Sequence, residues 1–119
     1  MKIAIPADDR NMEGNVSSSF GRAPYYLIYD TDSQSGEFIE NSAARAQGGA
    51  GIKAAQEVVD ARGQILVTPR LGEHAARVLE GARIRSYQCI PGSLIENINA
   101  FTESRLELLQ EIHPGYHGH

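Results

Sequence analysis

Cationic side chains and glycines are the residues of this sequence whose types and positions could bind an anion. Gly49 and Gly51 precede a predicted helix, where a backbone without Cβ atoms lets a ligand approach closely. Free N–H groups and the positive end of the helix dipole favour anions at such a position. Four arginines fall in or beside the segments that leave predicted strands: Arg10, Arg22, Arg45 and Arg70. The alternative is that these arginines are solvated surface residues, because exposed charges are the norm.

A second group of residues could ligate a metal. Cys89 ends a predicted strand, and a lone cysteine is either a small buried hydrophobe or, if it faces a cleft, a candidate thiolate ligand. His74 lies in the first turn of a predicted helix; it is either part of the binding site or a surface histidine. His117 and His119 could chelate a divalent metal loosely. They could equally belong to a flexible tail, residues 113–119, that has no function.

The composition is that of one globular domain, which we place at residues 1–112. The chain has 119 residues, of which 41% are hydrophobic and 22% charged. This length is sufficient for a hydrophobic core that needs no disulfides. No apolar run approaches the ~20 residues of a membrane span, and the first strand has no leader, so we expect a cytoplasmic protein away from membranes. A net charge of −4 argues against nucleic-acid binding. A single cysteine excludes a thiolate cage for zinc.

Hydrophobic patterns predict the elements that position these residues. Short apolar runs predict strands at 3–5, 25–29, 37–41, 64–68 and 84–89. Helical periodicity predicts helices at 52–59, at 71–80, after the Ser93–Glu96 capping box, and after Thr102, the last one carrying Leu106, Leu109 and Ile112. Gly63 is predicted to end the first helix as a C′ residue. An antiparallel meander followed by helical crossovers predicts a three-layer α/β/α sandwich around a mixed five-stranded sheet.

The predicted ligand site lies beyond the carboxyl ends of the strands. Open α/β sheets bind ligands there, where the strand order reverses. Four segments leave that edge: residues 7–22, 46–51, 69–74 and 90–93. Three of the four precede a helix, so their N–H groups face the same end of the molecule. We therefore predict that the four arginines share one hollow with these helix starts.

Several blocks of the sequence resemble the dinitrogenase iron–molybdenum cofactor biosynthesis family. They are MKIAIP at residues 1–6, VSSSFGRAPYY at 16–26, IYD at 28–30, EN at 40–41 and GAG at 49–51. The resemblance extends over nearly the whole domain. It implies a ribonuclease-H-like motif with sheet order 3-2-1-4-5, in which the second strand is antiparallel.

The resemblance also implies a function without catalysis. Family members carry or insert metal–sulfur clusters, and the orange proteins among them hold a molybdenum–copper–sulfide cluster without evident covalent ligands. We expect an anionic Mo–Cu–S or Fe–Mo–S cluster, which purification could remove, with cluster donor or acceptor proteins as partners of a monomer or weak dimer. The expected site consists of Arg10, Ser19, Phe20, Gly21, Arg22, Arg45, Gly49, Gly51, Arg70 and His74, with Cys89, His117 and His119 as candidate metal ligands.

Two alternatives stay open at this point. Many similar members have a histidine before Phe-Gly where this chain has Ser19, whose hydroxyl is a poor ligand for soft metals. This difference favours a regulatory or interaction module of the same fold that binds no cluster. The other alternative is a magnesium-dependent nuclease, but Asp8 and Asp9 alone do not supply the several converging carboxylates that a two-metal site needs.

Overall fold

The computed structural model describes residues 1–109 and contains one five-stranded sheet. Its strands are β1 (Lys2–Ala7), β2 (Tyr25–Asp30), β3 (Ser35–Glu40), β4 (Ile65–Thr68) and β5 (Arg85–Gln88). The strand order is β3-β2-β1-β4-β5; β2 is antiparallel to both neighbours, while β4 and β5 run parallel to β1. The predicted fold class, sheet order and strand directions are confirmed. The predicted tail with His117 and His119 lies outside the described residues.

Three α-helices cover the two faces of this sheet: α1 (Ala50–Asp60), α2 (Glu73–Gly81) and α3 (Leu94–Thr102). Successive residues of β1 point to opposite faces, so Ala4 packs in the cluster under α1 and α2 while Ile3 and Ile5 pack in the cluster under α3. A 3₁₀ helix, Ser42–Arg45, lies in the connection between β3 and α1, where the sequence analysis predicted no helix. None of the described helices is long and apolar enough to cross a bilayer.

The helix predicted after Thr102 is wrong over residues 103–109. Helix α3 continues to Thr102, and the chain beyond it runs beside β5 instead. The Gln88 N–H donates to the Glu107 carbonyl at 2.8 Å, and the Leu109 N–H donates to the Ser86 carbonyl at 2.9 Å. Leu106 packs on the α3 side of the sheet and Leu109 on the other side. Ile112 of the predicted helix lies outside the described residues.

The C′ prediction for Gly63 is also wrong. Helix α1 ends at Asp60 with Ala61 as its C-cap, and the residue in the left-handed region is Arg62, at φ 64°. Gly63 is required for a different reason, because a Cβ there would lie 2.9 Å from Val58 Cγ1. The close approach of this turn to the helix therefore selects glycine at position 63, while the arginine before it takes the strained backbone conformation.

Candidate functional site

The carboxyl end of β1 lies at one edge of the sheet, an edge formed by the ends of strands and not by an outer strand. Ala7 pairs with Tyr25, Tyr25 pairs with Glu40, and Thr68 of β4 pairs with Gln88 of β5, so these residues lie along the same edge. The connections that leave this edge enclose three hollows. We call them the helix hollow, the arginine hollow and the cysteine hollow.

The helix hollow lies between the first turns of α1 and α2 and has a volume of about 220 Å³. Its lining consists of Gly49, Ala50, Gly51, Ile52, Gly72, Glu73, His74 and Ala75. Gly49 is the N-cap of α1 and Gly72 is the N-cap of α2, and neither helix receives a side-chain cap. Because the first N–H groups of a helix have no intrahelical acceptor, both helix starts offer donors to this hollow.

The starts of α1 and α2 lie in contact, and a glycine in the first loop lets that loop pack closely against α1. A Cβ on Gly51 would lie 3.6 Å from the Ala75 Cβ, which is ordinary contact between α1 and α2. A Cβ on Gly21 would lie only 3.0 Å from the Gly51 nitrogen and 3.1 Å from its Cα. A side chain at position 21 would therefore push this backbone away by a few tenths of an ångström, and the loop before β2 rests directly on the first turn of α1.

Charged residues of both signs surround the helix hollow. Glu73 is the acidic residue in its lining, and its carboxylate forms a 2.7 Å ion pair with Arg77 one turn along α2. Lys53 lies in the first turn of α1, where its N–H donates to the Gly49 carbonyl. Arg70 lies two residues before the N-cap of α2, and its carbonyl accepts a hydrogen bond from the Thr68 hydroxyl at 3.1 Å. The pair with Arg77 partly offsets the charge of Glu73, and the two helix starts add positive potential to the hollow.

The arginine hollow lies on the β2–β3 side of the same edge and has a volume of about 500 Å³. Its lining consists of Arg22, Pro24, Tyr25, Glu40, Asn41, Ser42, Ala44 and Arg45. Arg22 Nη1 donates to the Ala44 carbonyl at 3.0 Å, and the Arg10 guanidinium lies 5.4 Å from the centre of the Tyr25 ring. The structure thus places Arg22 and Arg45 in one lining and Arg10 over the ring of the lining residue Tyr25, whereas Arg70 is not in this lining.

Asn41 holds the loop that separates these two hollows, a role that the sequence analysis missed. The side chain is buried, and its Nδ2 donates to the carbonyls of Gly21 and Ala23 at 3.0 and 2.9 Å. Its Oδ1 accepts from the Ala43 N–H at 3.0 Å, which caps the 3₁₀ helix. All three bonds are local to this edge, so Asn41 fixes the position of Gly21 against α1.

Ser19 and Phe20 shape the same loop from within. The Ser19 hydroxyl accepts the Arg22 N–H at 3.0 Å. The Phe20 ring is buried 5.4 Å from the ring of Tyr26, and the Phe20 carbonyl accepts the Tyr26 hydroxyl proton. Burial, with a smaller contribution from the charge of Glu57, raises the pKa of Tyr26, so this donor stays protonated. Neither Ser19 nor Phe20 is in the lining of the helix hollow or the arginine hollow.

The cysteine hollow lies at the carboxyl ends of β4 and β5 and has a volume of about 650 Å³. Its lining consists of Asp8, Asn15, Val16, Ser18, Pro69, Gln88, Cys89, Ile90, Pro91 and Gly92. Cys89 is half-buried, and this burial raises the pKa of its thiol. The neutral thiol is therefore favoured here over the thiolate that binds metals. Within residues 1–109, no three or more His, Cys, Asp or Glu side chains form a group that could hold a metal ion.

Asn97 is the second buried amide that the sequence analysis missed. Its Nδ2 donates to the carbonyls of Ile90 and Ser93 at 3.1 and 2.9 Å, and its Oδ1 accepts the Ile90 N–H at 2.8 Å. These bonds tie the loop that borders the cysteine hollow to α3. The available signal was the spacing of Asn97, three residues from Leu94 and four from Phe101 on the apolar side of the predicted helix.

A comparison with models of protein families identifies the family of this chain. The family model described as dinitrogenase iron-molybdenum cofactor matches residues 1–104. The chain belongs to this dinitrogenase iron–molybdenum cofactor family. The match includes all three hollows, both glycine N-caps and both buried asparagines. A comparison with curated proteins found no match.

Several solved structures share the fold of this chain. The apo form of the orange protein from Desulfovibrio gigas has a TM-score of 0.87 at 25% identity, over 91% of this chain and 92% of that chain. A Thermotoga protein of the DUF35 family has a TM-score of 0.81 at 36% identity, over 93% and 95% of the two chains. A Methanocaldococcus jannaschii protein at 21% identity, with a TM-score of 0.71 over 93% and 96%, shares the fold.

Proposed function

We propose that this chain binds and carries an anionic metal–sulfur cluster in the helix hollow, and that it catalyses no reaction. The observation that carries the proposal is the meeting of two glycine-capped helix starts at one hollow of about 220 Å³. Uncapped N–H groups and two positive dipole ends form a ready site for a negatively charged ligand. The family description and the likeness to the orange protein favour a cluster of the Mo–Cu–S or Fe–Mo–S type.

The chemistry of the donors fits a cluster whose metals are already coordinated by its own sulfides. Such an anion needs hydrogen-bond donors and positive potential around it, and the helix hollow offers both. Among the lining residues, His74 has a side chain that could ligate copper or iron, and Gly49 and Gly51 leave room for close approach. Lys53 and Arg70 add positive charge near the two helix starts.

Ser19 does not enter this proposed site as a substitute for the family histidine. Its hydroxyl already accepts the Arg22 N–H, so its role is to shape the loop. Cys89 lies in a different hollow with its thiol pKa raised by burial, which favours a structural role over ligation. The proposed binding therefore depends on backbone groups of α1 and α2 rather than on a cage of side-chain ligands.

Reconstitution without oxygen tests the proposal. The protein is mixed with tetrathiomolybdate and a copper(I) salt, or with iron, sulfide and molybdate, and passed through gel filtration. We expect one of the two mixtures to leave coloured protein with a fixed metal content. The retained metal should decrease as ionic strength rises from 0.1 M towards 1 M, since the screening length falls from about 10 Å to about 3 Å. Absence of retained metal in both mixtures overturns the proposal and favours a module that binds no cluster.

A further inference from the structure

Three arginines at the arginine hollow carry positive charge that no carboxylate of the protein neutralises by direct contact. None of the ion pairs found among residues 1–109 includes Arg10, Arg22 or Arg45. Arg22 donates to a backbone carbonyl and Arg10 covers an aromatic ring, contacts that leave both charges in place. Glu40 lies in the lining and the Glu57 carboxylate accepts hydrogen bonds from the lining residue Ser42, so three arginines stand against two carboxylates here in a chain of net charge −4.

The lining of this hollow contains two arginines and a tyrosine, residue types that are enriched at protein-binding surfaces. Arginine and tyrosine often dominate the binding energy at interfaces, and Arg22, Arg45 and Tyr25 line this hollow together with Pro24. A planar guanidinium binds a carboxylate through two parallel hydrogen bonds. The volume of about 500 Å³ is more than twice the 220 Å³ of the helix hollow, which is room for several side chains of a peptide.

The hollow is also held in shape before any partner arrives. Asn41 fixes the loop through the carbonyls of Gly21 and Ala23, and the Ala44 carbonyl fixes the guanidinium of Arg22. A surface that is already ordered loses less conformational entropy when it binds. Glu40, which lines the hollow, ends β3, and β3 is the outermost strand on its side of the sheet. An extended segment entering the hollow would therefore run beside a strand edge that can pair with it.

We propose that the arginine hollow docks an extended, carboxylate-rich segment of a partner protein. Gly21 touches the first turn of α1, and Arg22 follows it in the chain, so a docked partner would lie next to the helix hollow. The partner's role as donor or acceptor of the cluster rests on the proposed function, whereas the docking itself does not. The recognised chemistry is a run of carboxylates on a peptide, distinct from the metal–sulfur anion.

Fluorescence anisotropy with a labelled (Glu-Ser)₅ peptide tests the docking on the full chain without cluster. We expect the peptide to bind, the (Gln-Ser)₅ peptide not to bind, and Arg45→Glu to weaken binding by about tenfold or more. Arg85→Glu is the matched control, because it makes the same charge change at the opposite edge, where Arg85 lines a separate hollow. Binding by Arg85→Glu should stay within about twofold of the wild-type value.

Besides a glutamate peptide that does not bind the wild type, three results would overturn the docking proposal. They are equal binding by the wild type and Arg45→Glu, equal binding of the glutamate and glutamine peptides, and loss of peptide binding in millimolar inorganic phosphate with no loss in the same ionic strength of chloride. The last result would indicate a site for small oxyanions. Arg10→Glu repeats the test at a second exposed position in case Arg45→Glu fails to fold.

Cluster retention separates this proposal from the proposed function. We expect Arg45→Glu to retain metal after reconstitution while it loses the peptide. If the peptide binds and neither reconstitution mixture leaves metal on the wild type, the docking surface stands and the carrier function falls. If metal is retained and the peptide does not bind, the carrier function stands and the docking proposal falls.

Discussion

Substitution of Gly72 by aspartate supplies the helix hollow with a carboxylate of its own. Gly72 is the N-cap of α2 at φ −76° and ψ 157°, the extended conformation in which aspartate is a preferred cap. A Cβ at this position would meet no atom within 4 Å, so the new side chain enters without strain. We expect the aspartate to accept hydrogen bonds from the first-turn N–H groups of α2, which are the groups proposed to hold the cluster.

The two effects of Gly72→Asp have opposite directions. A charged cap at the positive end of the dipole should stabilise the protein by about 0.5–1 kcal/mol and raise the melting temperature by about 2–5 °C. Two unit negative charges about 4 Å apart repel by about 4 kcal/mol at an effective dielectric constant of 20, and solvent in an open hollow reduces this to about 1–2 kcal/mol. Cluster affinity should therefore fall by about tenfold or more. A variant that lost binding through unfolding would lose stability as well.

The assay combines thermal melting of the apoprotein with anaerobic titration by tetrathiomolybdate and copper(I). Gly72→Asn is the control, because asparagine caps the same N–H groups with the same shape and no charge. Its cluster affinity should lie between those of the wild type and Gly72→Asp. If Gly72→Asp melts at a higher temperature and still retains as much metal as the wild type, the cap has formed, and the α2 N–H groups do not hold the cluster.

Three further predictions concern the cysteine hollow and its border. Asn97→Ala should destabilise the fold by about 3 kcal/mol in urea denaturation, because it removes three hydrogen bonds that the buried Asn97 side chain makes to part-buried backbone groups of Ile90 and Ser93; a loss below about 1 kcal/mol would contradict this role of Asn97. The Ser93 N–H lowers the pKa of Glu96 in the folded protein. The stability that the wild type gains over Glu96→Ala should therefore be complete above the pKa of the unfolded state and vanish as pH falls through the lowered pKa of the folded state. An acid titration in which the stabilities of the two proteins do not converge would count against the capping box. Burial raises the Cys89 pKa, so its alkylation by iodoacetamide should rise at a higher pH in the folded chain than in urea, and coincident profiles would refute this.

The sheet could be predicted from the sequence because its central strands are buried on both faces. Continuous apolar runs at β1 and β4 can lie only in the middle of a covered sheet, and this places the other strands around them. The helix predicted after Thr102 failed because Leu106 and Leu109 fit more than one periodicity. The free edge of β5 decides their conformation, and this edge is formed by residues remote in the chain.

The end of the sheet where the residues of the candidate site lie could be predicted from the sequence, but not their division between separate hollows. Residue types and strand order place the arginines and glycines at one edge of the sheet. Their separation into two hollows depends on the contact of Gly21 with Gly51 and on the hydrogen bond from Arg22 to the Ala44 carbonyl. Neither interaction has a local signature. Asn41 was missed for the same reason, because an asparagine after a strand reads as a turn residue until its partners are known.

A site made of backbone groups suits a carrier better than a site made of side-chain ligands. A cage of thiolates would form covalent bonds to the metals, and release of the cargo would then require those bonds to be exchanged. Hydrogen bonds from N–H groups and the field of helix dipoles hold an anion from outside and break without chemistry. Such donors must be positioned accurately, because they cannot adjust as side chains do. In the proposed site, the buried amide of Asn41 locks the loop against the start of α1, and glycine and alanine supply five of the eight lining residues.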